Sequence, residues 1–521
     1  MPMPPSMLAV SSLSAALLAA SMLPGRAASA PGTEQRPNIV LIISEDNGPH
    51  FGCYGDPYAQ TPNLDRLASQ GVRFERAYIT QAGCSQSRSS ILTGLYPHQN
   101  GQLGLATWGY RLYREDTPSL PRSLKAAGYR TGRIGKLHVN PESAFPCDLQ
   151  EIPGGNFARK HLAAYAQHAE RFFKADARPF FLHINYPEAH DPFLKQVDGL
   201  PKQPLTGTDV QSLPCFGIDP PELRQLMADY YNCLSRLDSL IGDLLAALDR
   251  SGKAGNTLII YLGDHGPDLL RGKRSSYEGG TRVPLIIRWP DKARPQVRAE
   301  LVSTIDLMPT LLAISGATAV PNLPGQSLVP LLAGERPAWR DTVFTEFHTH
   351  AARANFFPQR AAHGQRYKLI ENLLPDEANP DMEKIDKELP FVASAVAAAR
   401  PEVRAAYELQ QRPPRFELYD LQTDPCEFHN LAASAAHAAQ LANLKQRLLA
   451  WREQTRDPLL NPTNLARLKA EVYAVSSKAE GKAIDWGYPD YFFGREPAVP
   501  RDTAPAAEKP ARKKNKKQPA E

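Results

Sequence analysis

Two short acidic clusters end apolar runs in this 521-residue chain, and both have the makings of a cation site. The run NIVLIIS passes directly into Glu45-Asp46-Asn47-Gly48, and TLIIYLG passes into Asp264-His265-Gly266. If the two runs are strands near the centre of one sheet, three carboxylates, an amide and an imidazole meet at one edge, a donor set suited to a hard divalent cation. Asp and Asn after a strand also cap turns, so either cluster alone fits a plain strand-to-loop junction. Between them lies QAGCSQSRSSILTG, where Cys84 stands just before a helix-forming stretch and Arg88 follows one turn later. The free N–H groups and dipole of a helix start favour negative charge, which suits an anion or an activated nucleophile. A lone Cys near an Arg is also met as a structural or merely reactive thiol.

The elements that must position these residues alternate. From Pro37 onward short β-branched runs are separated by helical stretches: NIVLII, TPNLDRLASQG, VRFERAYIT, SLPRSLKAAG, RTGRIG, PFFLHINY, an amphipathic segment at 221–250, and TLIIYLG. This predicts an α/β fold, a large mostly parallel sheet sandwiched by helices, whose ligands gather at the carboxyl ends of the strands. Thr61-Pro62 reads as a helix cap and first helical position, with Gly71 as the stop. Leu237, Leu240, Ile241, Leu244 and Leu245 are core by their spacing. Beyond residue 355 the pattern changes to QRYKLIENLL, an irregular polar stretch, FELYDLQTDP and a helix with Leu441, Leu444, Leu448 and Trp451 on one face. The division expected is a first domain over 36–355, a smaller α+β domain over 356–495 and a basic tail over 496–521.

Composition limits the function classes. The chain is 42% hydrophobic and 22% charged, and no apolar run reaches the roughly 18 residues of a membrane span. Of the net charge of +5, the stretch from Arg501 to Glu521 supplies +4, with seven Lys/Arg against three Asp/Glu. A nearly neutral body argues against nucleic-acid binding. LAVSSLSAALLAASML followed by Ala28-Ser29-Ala30 has the order of a secretory signal over residues 1–30, implying an exported, periplasmic or secreted protein; its first residues lack Lys and Arg. Six cysteines are too few for a disulfide framework. With Cys84 set aside for chemistry, Cys53, Cys147, Cys215, Cys233 and Cys426 form an odd set in which no pairing is preferred.

The segment CSQSRSSILTG resembles the signature of the sulfatase family within the alkaline phosphatase superfamily, Cys-x-Pro-Ser-Arg-x-x-x-Leu-Thr-Gly. TPNLDRLA, GRIGKLHV, NYPEAHDPF, LGDHG and EGGTRVPLIIRWP follow in the family's order, so the likeness runs from about residue 36 to 460. HQNGQLGL, IGKLHVNPESAFP, the block from Asp264 to Gly280 and FELYDLQTDP are most similar to the heparan N-sulfatase branch. The resemblance implies that Cys84 is oxidised by a maturation enzyme to Cα-formylglycine, whose hydrated hydroxyl attacks sulfur and carries a covalent sulfate. It implies one Ca2+ held by Glu45, Asp46, Asp264 and His265. Arg88, Lys136 and His138 match the residues that steady the diol, and His190 and Lys273 those that grip sulfate and assist the leaving group. His190 is the preferred proton donor and His138 the second. His348, His350 and Arg360 fall where the family's second domain walls the substrate pocket.

Three positions depart from the pattern. Gln86 replaces the proline that keeps the motif extended for maturation. Glu45 replaces an aspartate, which lengthens that arm by a methylene or passes its role to Asn47. Lys273 replaces the arginine of the heparan N-sulfatase branch, keeping charge but losing the bidentate fork. The expected activity is removal of sulfate from a sulfated sugar, with the N-sulfate of glucosamine in heparan-type glycans foremost. An O-sulfatase, a phosphonate or phosphate ester hydrolase, and a catalytically silent glycan-binding homologue are the alternatives. The partners expected are a sulfated saccharide and the maturation enzyme, with neither nucleic acid nor stable membrane insertion; a homodimer is compatible with the sequence.

Overall fold

The apolar runs are strands, and their order in the sheet brings the two acidic clusters side by side. The computed structural model describes residues 36–482 and 484–493; the signal and tail segments read from the sequence lie outside the described residues. The large sheet comprises β1 (Asn38–Ser44), β2 (Val72–Tyr78), β3 (Arg130–Gly135), β4 (Leu149–Glu151), β5 (Phe180–Asn185), β6 (Thr257–Gly263), β7 (Arg282–Arg288) and β8 (Gln296–Ser303). Its spatial order is β4-β3-β5-β1-β6-β7-β2-β8. All pairings are parallel except those that β7 makes with β6 and β2.

Helices cover both faces, which is why β1, β3, β5 and β6 are buried at every residue and why the apolar runs are continuous rather than alternating. Strand β1 sends Val40 and Ile42 into the core beneath the long helix Pro221–Arg250, and Ile39, Leu41 and Ile43 into the core beneath the helix Leu307–Ser315. Leu237, Leu240, Ile241 and Leu244 are buried as their spacing predicts, while Leu245 is half-buried. The helix Pro62–Ser69 begins at the expected proline, but Thr61 does not cap it through its side chain. Its hydroxyl instead accepts from the Gly52 N–H and donates to Asp65, tying the helix start to the preceding turn.

The second sheet is antiparallel, in the order β12-β11-β10-β9, with β9 (Thr342–Phe347), β10 (Gln359–Gly364), β11 (Tyr367–Asn372) and β12 (Phe416–Asp420). Leu444, Leu448 and Trp451 of the helix Ala438–Gln454 pack on it with Ala362, Leu369 and Leu418. Because β9 pairs with β10 from Thr342 onward, this sheet begins upstream of residue 356, where the change in sequence character placed the boundary. A disulfide joins Cys215 to Cys426, the pairing that residue types left open. Among the described residues no helix is long and apolar enough to cross a membrane.

Candidate active site

Strand register decides what meets at the carboxyl edge. Ser44 of β1 is paired with Gly263 of β6, Ile43 with Asn185 of β5, and Asn185 with Gly135 of β3. The residues after four adjacent strands therefore converge: Lys136 and His138, the loop from Tyr186 to His190, Glu45-Asp46-Asn47, and Asp264-His265. Lys136 and His138 lie just past a strand: β3 stops at Gly135, and His138 takes a positive φ of 60° in the loop beyond. Backbone bonds lace two of these ends together, with Glu45 N–H donating to Glu188 O at 2.8 Å and Ala189 N–H to Glu45 O at 2.7 Å.

Cys84 opens the helix Cys84–Thr93, every residue of which is buried, after the extended residue Gly83. Gly94 ends the helix at φ 71°, a conformation open to glycine at little cost. The Cys84 Sγ lies 3.3 Å from His265 Nε2 and 3.9 Å from Asp46 Oδ1. Arg88, one turn on, reaches back across the strand ends: Nη2 to Glu45 at 2.7 Å, Nε to Asp264 Oδ2 at 3.2 Å and Nη1 to Asn185 Oδ1 at 2.5 Å. Lys136 Nζ takes the other Glu45 oxygen at 2.7 Å, and Lys273 Nζ takes Asp46 Oδ2 at 2.7 Å.

Burial alone would raise the three carboxyls. Arg88 and Lys136 hold Glu45 below its ordinary range, Lys273 does so for Asp46, and His265 with Arg88 for Asp264. Burial pushes the His265 imidazole down, but Asp264 and Asp46 carry it up to about 9, so it bears positive charge at neutral pH. His138 goes the other way: burial, with repulsion from Lys136 and Arg88, keeps it neutral far below its usual range.

The donors suit a hard cation. Ligand atoms of Asp46, Asp264, His265 and Cys84 all lie within 4.8 Å of one another, as do those of Glu45, Asp46, His190 and Cys84. Both Glu45 oxygens and Asp46 Oδ2 are taken by cationic side chains, which leaves Asp46 Oδ1, Asp264 Oδ1 and His265 Nε2 facing the same point. The charge that His265 carries there stands where a divalent ion would balance the two aspartates. Asn47 turns away, donating to Glu45 O at 2.7 Å and facing Tyr261 at 3.4 Å.

The second-domain residues divide. Lys273 and Arg274, with His265, add to the effect of burial in keeping His350 neutral, which places it beside the cation cluster. Arg360 is elsewhere: on β10 it points inward and forks onto Asp457 at 2.9 and 2.8 Å. His348 is fully buried 3.4 Å from Glu346. Arg360 and His348 both face Glu346, at 3.8 and 3.4 Å, in the buried charge cluster that holds Asp457. Sequence reading passed over Asn185, which anchors Arg88, and Glu188, held by Arg236 at 2.6 Å. Both lie at the end of an apolar run, the position that had exposed the acidic clusters.

A mostly parallel sheet with a buried cysteine at a helix start, acidic strand ends and converging cations defines a hydrolase of sulfuric esters when set beside known proteins. The chain belongs to the sulfatase family: the model described as Sulfatase matches residues 37–317, and the model N-sulphoglucosamine sulphohydrolase, C-terminal, matches residues 263–388. Human N-sulphoglucosamine sulphohydrolase is 31% identical, covering 81% of this chain and 91% of its own. Human arylsulfatase A is 30% identical over 83% of this chain and 90% of its own. An ulvan-active sulfatase of Formosa agariphila is 28% identical over 82% of each chain. Among solved structures, a protein in complex with its substrate D-glucosamine-2-N,6-O-disulfate superposes with a TM-score of 0.61 at 22% identity, covering 81% of this chain and 99% of that one. A phosphonate monoester hydrolase of Agrobacterium radiobacter gives 0.61 at 20%, covering 81% and 96%; at these identities the likeness is one of fold.

Proposed function

We propose that the protein is an exported sulfatase that removes the N-sulfate of a glucosamine residue in heparan-type glycans, using residue 84 in its formylglycine form and one Ca2+. The observation that carries this reading is the gathering around Cys84 of Arg88, Lys136 and Lys273 from separate elements, beside the donor set of Asp46, Asp264 and His265. Sulfate bears charge on three oxygens while its fourth bond breaks, so cations aimed at one point stabilise the transition state more than the ground state. Asp46, Asp264 and His265 would hold the calcium, which supplies a Lewis acid for a sulfate oxygen. Arg88 fixes the metal-side carboxylates through Glu45 and Asp264, and Lys136 and Lys273 sit where sulfate oxygens would lie. His190 is the donor to the leaving atom: its Nδ1 is engaged with Asp191 O at 2.7 Å, so the carbonyl accepts its proton and Nε2 is the atom left for the substrate. His138, held neutral, is the weaker choice. A sulfamate nitrogen leaves poorly unless protonated, so this donor matters as much as for an alkyl ester.

The match to the N-sulphoglucosamine sulphohydrolase C-terminal model favours the N-sulfate over an O-sulfate. The test compares turnover of N-sulfoglucosamine, 4-nitrophenyl sulfate and a phosphodiester by enzyme whose Cys84 peptide is weighed in parallel. Sulfamate turnover by protein about 18 Da lighter at residue 84 supports the proposal. Full activity with an unmodified thiol, or phosphodiester as the preferred substrate, overturns it.

A further inference from the structure

The loop that follows β4 carries none of the residues singled out in the sequence, yet it forms one wall of the site. Phe157 stacks on the imidazole of His190, with ring centroids 3.9 Å apart and planes at 23°. The ammonium of Lys136 lies over the same Phe157 ring, 4.8 Å from its centroid. Two side chains assigned to sulfate chemistry therefore meet through one aromatic ring. The loop is pinned by Arg159, which is 1% exposed: Nη1 donates to Phe157 O at 2.5 Å, Nη2 donates to His190 O, and Nε lies 3.6 Å from Glu188. Glu188 is fixed in turn by Arg236 at 2.6 Å and by its backbone bond to Glu45.

His190 is thus held on three sides. Asp191 O takes Nδ1, Arg159 takes its own carbonyl, and Phe157 covers one ring face. A ring nitrogen of His190 lies within 4.8 Å of Cys84 Sγ and of carboxylate oxygens of Glu45 and Asp46. Rotating the imidazole about its χ angles would break the stack, so the ring face fixes where Nε2 points. We propose that Phe157 is a positioning residue for the leaving-group proton transfer: it holds His190 at the angle the departing atom needs. The proposal rests on the reading of His190 as proton donor.

Leaving-group dependence separates positioning from general support, because a good leaving group departs without a proton and a poor one does not. Phe157→Leu keeps volume and loses the π face; Phe157→Tyr keeps the face. Each is assayed on N-sulfoglucosamine and on 4-nitrophenyl sulfate beside His190→Ala. For Phe157→Leu we expect kcat on the sulfamate to fall about 10- to 100-fold with KM within about 3-fold, the aryl sulfate to change by less than about 3-fold, and Phe157→Tyr to restore the sulfamate rate. An equal fall on both substrates, or no fall on either, in Phe157→Leu overturns the positioning role while a selective loss in His190→Ala leaves the donor assignment standing. An unselective His190→Ala removes the donor assignment itself.

Discussion

Two of the buried clusters of charge among the described residues are alike in composition and different in what they surround. One surrounds Cys84 at the strand ends; the other fills the seam between the second sheet and the helix Ala438–Gln454. In the seam the cations and acids pair only with one another, with no cysteine among them. Arg360 forks onto Asp457, Arg452 bridges Asp457 at 2.7 Å and Glu371 at 2.9 Å, and His98 bonds Glu346 at 2.5 Å. Around Cys84, Lys136, Lys273 and Arg88 come from three separate segments and all bear on the same sulfur, which also sits 3.3 Å from His265. Buried charge by itself therefore does not mark a catalytic site. What marks it is that the ion pairs there, Arg88 and Lys136 on Glu45 and Lys273 on Asp46, come from different elements and are gathered around one buried cysteine.

The sharpest way to break this distinction is to remove the common point. Cys84→Ala deletes only a sulfur atom from a buried position, so we expect sulfate release to fall by at least about 10^4-fold while the melting temperature moves by less than about 4 °C. Initial rates and calorimetry on the same preparation check it. Retained turnover would show that the cations gather there for stability, as they do in the seam.

Asp457→Asn tests the other cluster and should have the next largest effect. Asp457 is fully buried, and against burial Arg360 holds its carboxyl well below the usual range. Removing its charge leaves Arg360 and Arg452 under-compensated, a loss of about 3–5 kcal/mol in stability, seen as a lower denaturation midpoint. The kcat of the folded fraction should stay within about 3-fold. Lost activity without lost stability would return Arg360 to the substrate pocket where sequence reading had put it.

How far each cluster could be read in advance follows from the same contrast. The strands, the mostly parallel sheet and the meeting of its acidic ends were legible because a strand buried on both faces writes a continuous apolar run, and polar residues follow where it stops. Glu45, Asp46, Asp264 and His265 are adjacent in space because Ser44 and Gly263 are in register, which the two runs imply once they are neighbours. Arg360 was misplaced because a charged residue on a short antiparallel strand gives no sign of which face it takes; β10 turns it toward Asp457, ninety-seven positions away. Phe157 was missed because a phenylalanine in an irregular loop carries no period, and its role depends wholly on contacts with His190 and Lys136. The boundary placed at residue 355 falls inside the second sheet because the change in sequence character comes after β9 and not before it.

The smallest effect expected lies in the second sheet and tests whether that region is built for stability alone. His363 of β10 is fully buried, donates from Nδ1 to the Glu278 carboxylate at 3.1 Å, accepts at Nε2 from the Thr345 hydroxyl at 2.9 Å, and packs on Tyr78 at 4.5 Å. Burial, aided by Lys368, lowers its pKa to about 4. The unfolded chain would bind a proton at this residue near pH 6.5, the folded chain only near 4, so the unfolded state gains protons first as the solution is acidified. Its contribution to stability is whole above pH 6.5 and declines as pH falls toward 4, by at most about 3–4 kcal/mol. His363→Gln keeps a hydrogen-bonding group without the titration, so the difference in unfolding free energy between wild type and variant should vary with pH across that window and flatten above it. A difference that stays constant from pH 7 to pH 4 would mean the imidazole is not held neutral by burial. A matching pH dependence in kcat would mean that the second sheet communicates with Cys84 after all.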